Sequence, residues 1–264
     1  MQCSDEDMRV TPAGDVDYER GGSPYAAVRQ PDPRFALRIR QALGDAKTLI
    51  NVGAGAGSYE PLDLEVTAVE PSASMRAERP AHLSWAIDAV AEDLPFPDQC
   101  FGAALASVTI HQWRDLAQGL SELRRVTKGP IVLLTFDGGV LQDFWLKDYA
   151  PRLMVHEAGR MPAISLLKDL LGGTSEVVEL PIPFDCEDGF GEAFFGRPEA
   201  FLDEHVRASQ SAWKFLSHDE IATAMDQLRC DLEDGIWDAK FGHLRTAPDY
   251  PGALRLLINH PEKA

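Results

Sequence analysis

The chain has 264 residues, 45% of them hydrophobic, and a formal net charge of −17. That length and composition support one large domain, or one domain with a lid, around a substantial core. The acidic balance argues against nucleic acid or an anionic membrane as partner, because both need a basic surface, and the densest basic cluster, Arg29, Arg34, Arg38 and Arg40, is small.

Residues 1–16 are polar and acidic, and residues 1–24 lack the apolar stretch of a secretory leader. No run approaches the roughly 20 apolar residues of a membrane span. The four cysteines, Cys3, Cys100, Cys186 and Cys230, are far apart without a C-x-x-C pair. They read as free thiols, and a cytoplasmic protein is expected. Tyr18, Gly21, Gly22 and Tyr25 fall in an N-terminal cap segment, residues 1–30. Asp32-Pro33 then opens a helix, Asp as N-cap and Pro at the first position, with Phe35, Ile39 and Leu43 at helical spacing and Gly44 closing it.

The apolar run Thr48-Leu49-Ile50-Asn51-Val52 ends in Gly53-Ala54-Gly55-Ala56-Gly57. A second run, Val66-Thr67-Ala68-Val69, ends on Glu70. Strand, glycine turn, crossover, strand and acid make the nucleotide-binding half of a doubly wound α/β fold. The dinucleotide pattern G-x-G-x-x-G would put its third glycine at position 58, which is Ser58. The crossover is short and contains Pro61, so its helix is expected to be a turn or two at most. Pyrophosphate sites use the dipole of such a helix. A nucleoside without phosphates, such as S-adenosylmethionine (SAM), does not need it. Glu70, at the end of the second strand, can accept both hydroxyls of a ribose.

Further along, Ser72 caps a short helix stopped by Pro80, and Leu83–Ile87 reads as a third strand. Residues 88–98 hold two prolines and are irregular. Ala103–Thr109 is a fourth strand, and Leu116, Leu120 and Leu123 mark an amphipathic helix. Ile131–Phe136 is a fifth, near-continuous apolar strand of a sheet covered on both faces. Residues 31–137 form the core in this reading. Residues 138–175 form a helical lid. Residues 176–264 supply the closing strands, Glu176–Ile182 and Ala253–Asn259, with a second helical lid inserted at 184–250. A capping box, Ser217 with Glu220, starts a helix in that insertion, and the last strand is placed antiparallel beside the fifth.

Several segments, in order, carry a family likeness: Val52–Gly57, Ala68-Val69-Glu70-Pro71-Ser72, Ala91-Glu92-Asp93-Leu94-Pro95-Phe96, Ile110-His111-Gln112-Trp113 and Glu122-Leu123-Arg124-Arg125-Val126. The chain resembles the class I SAM-dependent methyltransferases, and within them the type 11 group that includes ubiquinone/menaquinone C-methyltransferase-like enzymes. The resemblance implies a Rossmann-like, mostly parallel seven-stranded sheet with a helical lid. It implies that Gly53, Ala54, Gly55 and Gly57 pass under the methionine part of SAM, and that Glu70, followed by Pro71, holds the ribose. Ala91 would meet adenine, with Glu92 beside it. Ser107 and Val108 would face the sulfonium, and Tyr25 and Arg29 would close over the SAM carboxylate. The chain departs from the family where an Asp usually precedes the Ala-Glu pair; that position is Val90, with Asp88 two residues earlier.

His111, at the junction of the fourth strand and a helix, is the first candidate for a general base. Asp137, ending the fifth strand, is the second. Asp185 and Asp188 occupy a similar place after the sixth strand. Trp113, Trp145, Tyr149, Phe194 and Phe195 are candidates for an aromatic acceptor pocket under the lid. His156 and Glu157 lack the spacing of a zinc site, and no metal is expected. Methyl transfer to a small aromatic or heteroaromatic metabolite is the reading these residues support, C-methylation of an indole-like ring being one version. A SAM-binding protein that performs regulation or cyclisation, or a protein methyltransferase, are the alternatives.

Overall fold

The computed structural model describes residues 29–262. Nine strands are present among them: β1 Thr48–Val52, β2 Glu65–Val69, β3 Ala86–Ile87, β4 Ala103–Ser107, β5 Ile131–Phe136, β6 Thr174–Glu179, β7 Ile182–Pro183, β8 Asp249–Tyr250 and β9 Leu254–His260. Seven build one sheet in the order β3-β2-β1-β4-β5-β9-β6. The first five strands are parallel, and β9 runs antiparallel between β5 and β6, with Phe136 opposite Leu254 and Glu179 opposite Arg255. The expected fold and the antiparallel last strand are both present.

Successive strand residues point to opposite faces, and both faces are covered. Leu49, Leu105, Val132 and Leu134 pack with Phe35 and Ile39 of the helix Pro33–Ala42 and with Leu43, which caps its end. Ile50, Ala104, Ala106 and Leu133 pack with Leu120 and Leu123 of the helix Leu116–Val126. The lid lies over the first face, and its aromatic residues extend that core without a break. The helix Ile164–Leu171, placed in the lid by the sequence, instead buries Leu167 and Leu171 in the second core.

Three local differences have physical causes. The β1–β2 crossover contains turns only, without a helix, since Gly55 and Gly57 take positive φ and Pro61 follows. The third strand is reduced to Ala86–Ile87, the part that pairs with β2. Ile182, read as the end of β6, leaves the main sheet after Pro181 and pairs with Tyr250 in a separate two-stranded ribbon.

Candidate functional site

The glycine turn is folded onto the end of β2. Gly53 and Ala54 both donate backbone N–H bonds to the Val69 carbonyl, at 2.9 and 3.0 Å. Gly53 has φ +69°, and a Cβ there would lie 2.0 Å from Thr109 Oγ1, so only glycine fits between this turn and the loop after β4. From below, Glu60 accepts from Arg79 and from Asn51 Nδ2, and Arg79 Nη1 also donates to the Gly55 carbonyl at 3.3 Å.

Glu70 sits beside the turn, 7% exposed. Its Oε2 accepts from Gly55 N–H and its Oε1 from Ser72 N–H, both at 2.8 Å. Burial pushes this carboxyl above the usual range, against the pull of the two N–H donors. Arg76 donates to the Glu70 and Pro71 carbonyls at 2.7 and 2.8 Å and to Asp88 Oδ2 at 2.9 Å. The acid of this segment is thereby fixed two residues before Val90. Ala91 is buried beside Trp113 and Gly119, while Glu92 Oε1 accepts from Asp115 N–H at 3.0 Å.

The end of β4 is strained. Val108 adopts φ +50°, a region that a β-branched residue rarely enters, and it is held there by donating its N–H to Leu134 O at 2.8 Å. Such outliers occur where surrounding structure enforces them, often at functional sites. A 3₁₀ turn, Ile110–Gln112, follows, and Ile110 is buried. His111 Nε2 lies 3.5 Å from Gln112 Nε2.

Val108, His111, Gln112 and Phe136 form one wall of a cavity whose unfilled space, open mouth included, is about 770 Å³. Leu141, Phe144, Leu146, Leu153 and Met154 form the lid side. Phe190, Glu192, Gln210 and Ser211 close the rest, with Arg29 and Glu157 at its polar positions. Glu157 is paired with Arg160 at 2.6 Å. Arg29 Nε contacts Asp188 Oδ1 at 2.5 Å, and Asp188 Oδ2 accepts from Tyr59 OH at 2.8 Å. One buried carboxylate thus ties the N-terminal cap, the glycine turn and the lid. Burial beside that carboxylate raises the Tyr59 phenol's pKa strongly. Tyr25 lies outside the described residues.

The structure brings Val108, His111 and Arg29 to the cavity and does not bring the proposed aromatic residues there. Trp145 donates Nε1–H to Phe195 O at 2.8 Å and packs edge-on against Trp237 and Phe201. Phe195 stacks on Tyr250, and Phe194 meets Phe201. Tyr149 OH donates to Asp231 at 2.9 Å. Trp113 faces Gly119 in the second core. Asp137 is a helix N-cap: Oδ1 accepts from Gly139 N–H at 3.0 Å, and Oδ2 is 4.0 Å from Arg255 Nη2. Asp185 is exposed and bound to Arg34.

Sequence reasoning missed Glu192, Phe136, Phe144, Phe190 and Gln210. A lone acid inside the aromatic run Phe190-Gly191-Glu192-Ala193-Phe194-Phe195 was the available signal.

The residues present fit SAM. A buried carboxylate at the end of β2 beside a tight glycine turn suits ribose hydroxyls, and the crossover offers no helix dipole for phosphate. Residues 50–130 match the family model described as a methyltransferase domain. A protein of Anabaena variabilis, described as a methyltransferase from an antibiotic biosynthesis pathway, is 29% identical. It aligns over 88% of this chain and 98% of its own, with a TM-score of 0.82. The YcgJ protein of Bacillus subtilis is 16% identical over 88% of this chain and all of its own, with a TM-score of 0.51, a likeness of fold. Comparison with curated protein sequences finds no match. The match over residues 50–130 and the near-complete coverage of the Anabaena structure show a methyltransferase domain at the glycine turn and make the fold as a whole similar to that of SAM-dependent methyltransferases.

Proposed function

We propose that this enzyme methylates a small, largely apolar acceptor held between the ends of β4 and β5 and the lid. The observation that carries the reading is the cavity itself. It begins at the strained Val108 and at His111, next to the glycine turn, and its remaining walls are mostly aliphatic and aromatic. Phe136, Phe144 and Phe190 suit a flat aromatic or heteroaromatic body, an indole-like ring included.

SAM, when bound, supplies a methyl group on a positively charged sulfur. The chain's own contribution is placement, exclusion of water and management of a proton. The glycine turn and Glu70 would hold the nucleoside, and Ala91 and Glu92 belong to the loop that would border adenine. Arg29, already oriented by Asp188, would face the carboxylate end. His111 is the base in this reading, since it lines the cavity while Asp137 is occupied in capping a helix. The lid residues Leu141, Leu153 and Met154 keep the acceptor dry.

No helix among the described residues is long and apolar enough to cross a membrane. Cys100, Cys186 and Cys230 are free thiols, which supports a reducing, cytoplasmic setting, and burial pushes the Cys186 thiol up to about 12. The charge of −17 supports an acceptor other than nucleic acid.

The test is incubation of the full chain with methyl-labelled SAM and a fractionated cell extract. Label is expected in a low-mass fraction. Label confined to protein would favour a protein acceptor. Binding of S-adenosylhomocysteine with no label in any fraction would favour a SAM-binding protein without transfer.

A further inference from the structure

Glu192 is 1% exposed and lies on the 3₁₀ turn Gly191–Phe194, in the part of the cavity wall it shares with Phe190, Gln210 and Ser211. A buried carboxyl is costly unless it has partners. Its two oxygens share one backbone donor, Ala253 N–H, at 3.1 and 2.9 Å. A carboxylate has about four acceptor positions, so acceptor capacity remains. Among the described residues no cationic side chain forms an ion pair with it. Arg255 supplies positive potential, and its Nη1 is bound to the Gly252 and Leu254 carbonyls at 2.8 and 3.1 Å. Room for the carboxyl is made by Gly252, where a Cβ would lie 2.9 Å from Glu192 Oε1.

The other charges at the cavity are matched. Arg29 faces Asp188, and Glu157 faces Arg160. Of the two carboxyls that line the cavity, Glu157 has an ion-pair partner and Glu192 has none among the described residues, only the field of Arg255.

We propose that Glu192 is an acceptor-recognition residue that binds an N–H group of the acceptor, so that the preferred acceptor is a largely apolar molecule carrying an amine. The proposal rests on the methyltransferase reading of the cavity and specifies its substrate class. An ammonium supplies both the missing counter-charge and a donor. An acceptor with a carboxylate would meet repulsion, and one with a hydroxyl would gain a hydrogen bond without charge.

The test uses the full chain and three matched probes: phenethylamine, 2-phenylethanol and 3-phenylpropionate. Each is titrated by calorimetry with and without S-adenosylhomocysteine. The amine is expected to bind at least about tenfold more tightly than the other two. Glu192→Gln, which keeps an oxygen for Ala253 N–H, should abolish that preference while leaving S-adenosylhomocysteine affinity unchanged. Equal affinity of the three probes for the wild-type protein, or an amine preference that survives in Glu192→Gln, would overturn the proposal. Failure of S-adenosylhomocysteine to bind counts against the methyltransferase reading, and the probe titrations without it still decide the role of Glu192.

A pH series on a protein with native Glu192 covers the case in which Glu192→Gln does not fold. The groups facing Glu192 are Tyr250 and Arg255, with His111, Arg29 and Glu157 across the cavity. Burial pushes the Glu192 carboxyl up to about 7. In a His111→Gln background, phenethylamine affinity should rise about tenfold from about pH 6 to about pH 8 as the carboxyl ionises. Phenethylamine affinity that at about pH 8 is no higher than that of 2-phenylethanol would overturn the assignment.

Discussion

Glu60 and Arg79 form an ion pair directly beneath the glycine turn, Arg79 Nη2 donating to both carboxylate oxygens at 3.0 and 2.8 Å, with side chains only 1% and 4% exposed. Removing one partner of such a pair leaves a buried, uncompensated charge. Arg79→Met should therefore lower stability by about 3–5 kcal/mol in denaturant unfolding. Adding Glu60→Gln to Arg79→Met should recover part of that loss. A loss below ~1 kcal/mol for the single variant would show that water reaches Glu60.

Glu70 links the turn to the next segment through Gly55 N–H and Ser72 N–H. Glu70→Ala strands two backbone donors and removes the proposed ribose acceptor. S-adenosylhomocysteine affinity should fall at least about tenfold, with a stability loss of about 1–3 kcal/mol. Unchanged affinity in calorimetry would remove Glu70 from the cofactor site.

His111 should separate chemistry from cofactor binding. His111→Gln is expected to lower kcat by about 10²- to 10⁴-fold and to leave S-adenosylhomocysteine affinity within about twofold. A pure rise in KM would instead make His111 a binding residue.

Glu192 gives a pH signature in stability. Its carboxyl is raised by burial from 4.5 to about 7 in the folded protein. Between those values the native state holds a proton that the unfolded chain has released, so stability falls as pH rises through this window. The protein should lose about 3 kcal/mol relative to Glu192→Gln between about pH 4.5 and about pH 7. Chemical denaturation of both proteins at pH 5 and pH 8 measures it, and parallel profiles would show that Glu192 stays ionised.

Tyr59→Phe deletes the hydroxyl bonded to Asp188 and so weakens the tie between glycine turn and lid. A buried acceptor losing one donor should cost about 1–3 kcal/mol. If the tie also sets the turn, cofactor affinity falls with stability; if only stability falls, the tie serves the lid alone.

Much of the core was legible because its signals are local. Ile131–Phe136 is a strand at the boundaries its apolar run predicted, since a strand buried on both faces has no other pattern. Asp32, Ser72 and Ser217 cap the helices they were expected to cap, because a cap needs only the next three residues. The cavity proposed for the acceptor was not legible. The aromatic character of Trp145, Phe194 and Phe195 favours burial, and they are buried, but it does not tell which buried space they fill. Val108 reads as an ordinary strand residue, and its positive φ arises from the turn that follows β4. Glu192 is defined by its distance to Ala253, 61 residues away.

The small ribbon formed by β7 and β8 closes the stem of the long excursion between β6 and β9, pairing Ile182 with Tyr250 and Pro183 with Asp249. Both ends of that excursion are thereby anchored close together, next to strands that the cofactor site does not use. Closing a loop costs little more as the loop lengthens, so the clasp makes the length of the segment between Pro183 and Asp249 a minor term in stability. The clasp fixes where the segment enters and leaves the sheet, but Asp188 within it still holds Arg29 and Tyr59, and Glu192 still lines the cavity, so length is the free variable of this segment and those two positions are not.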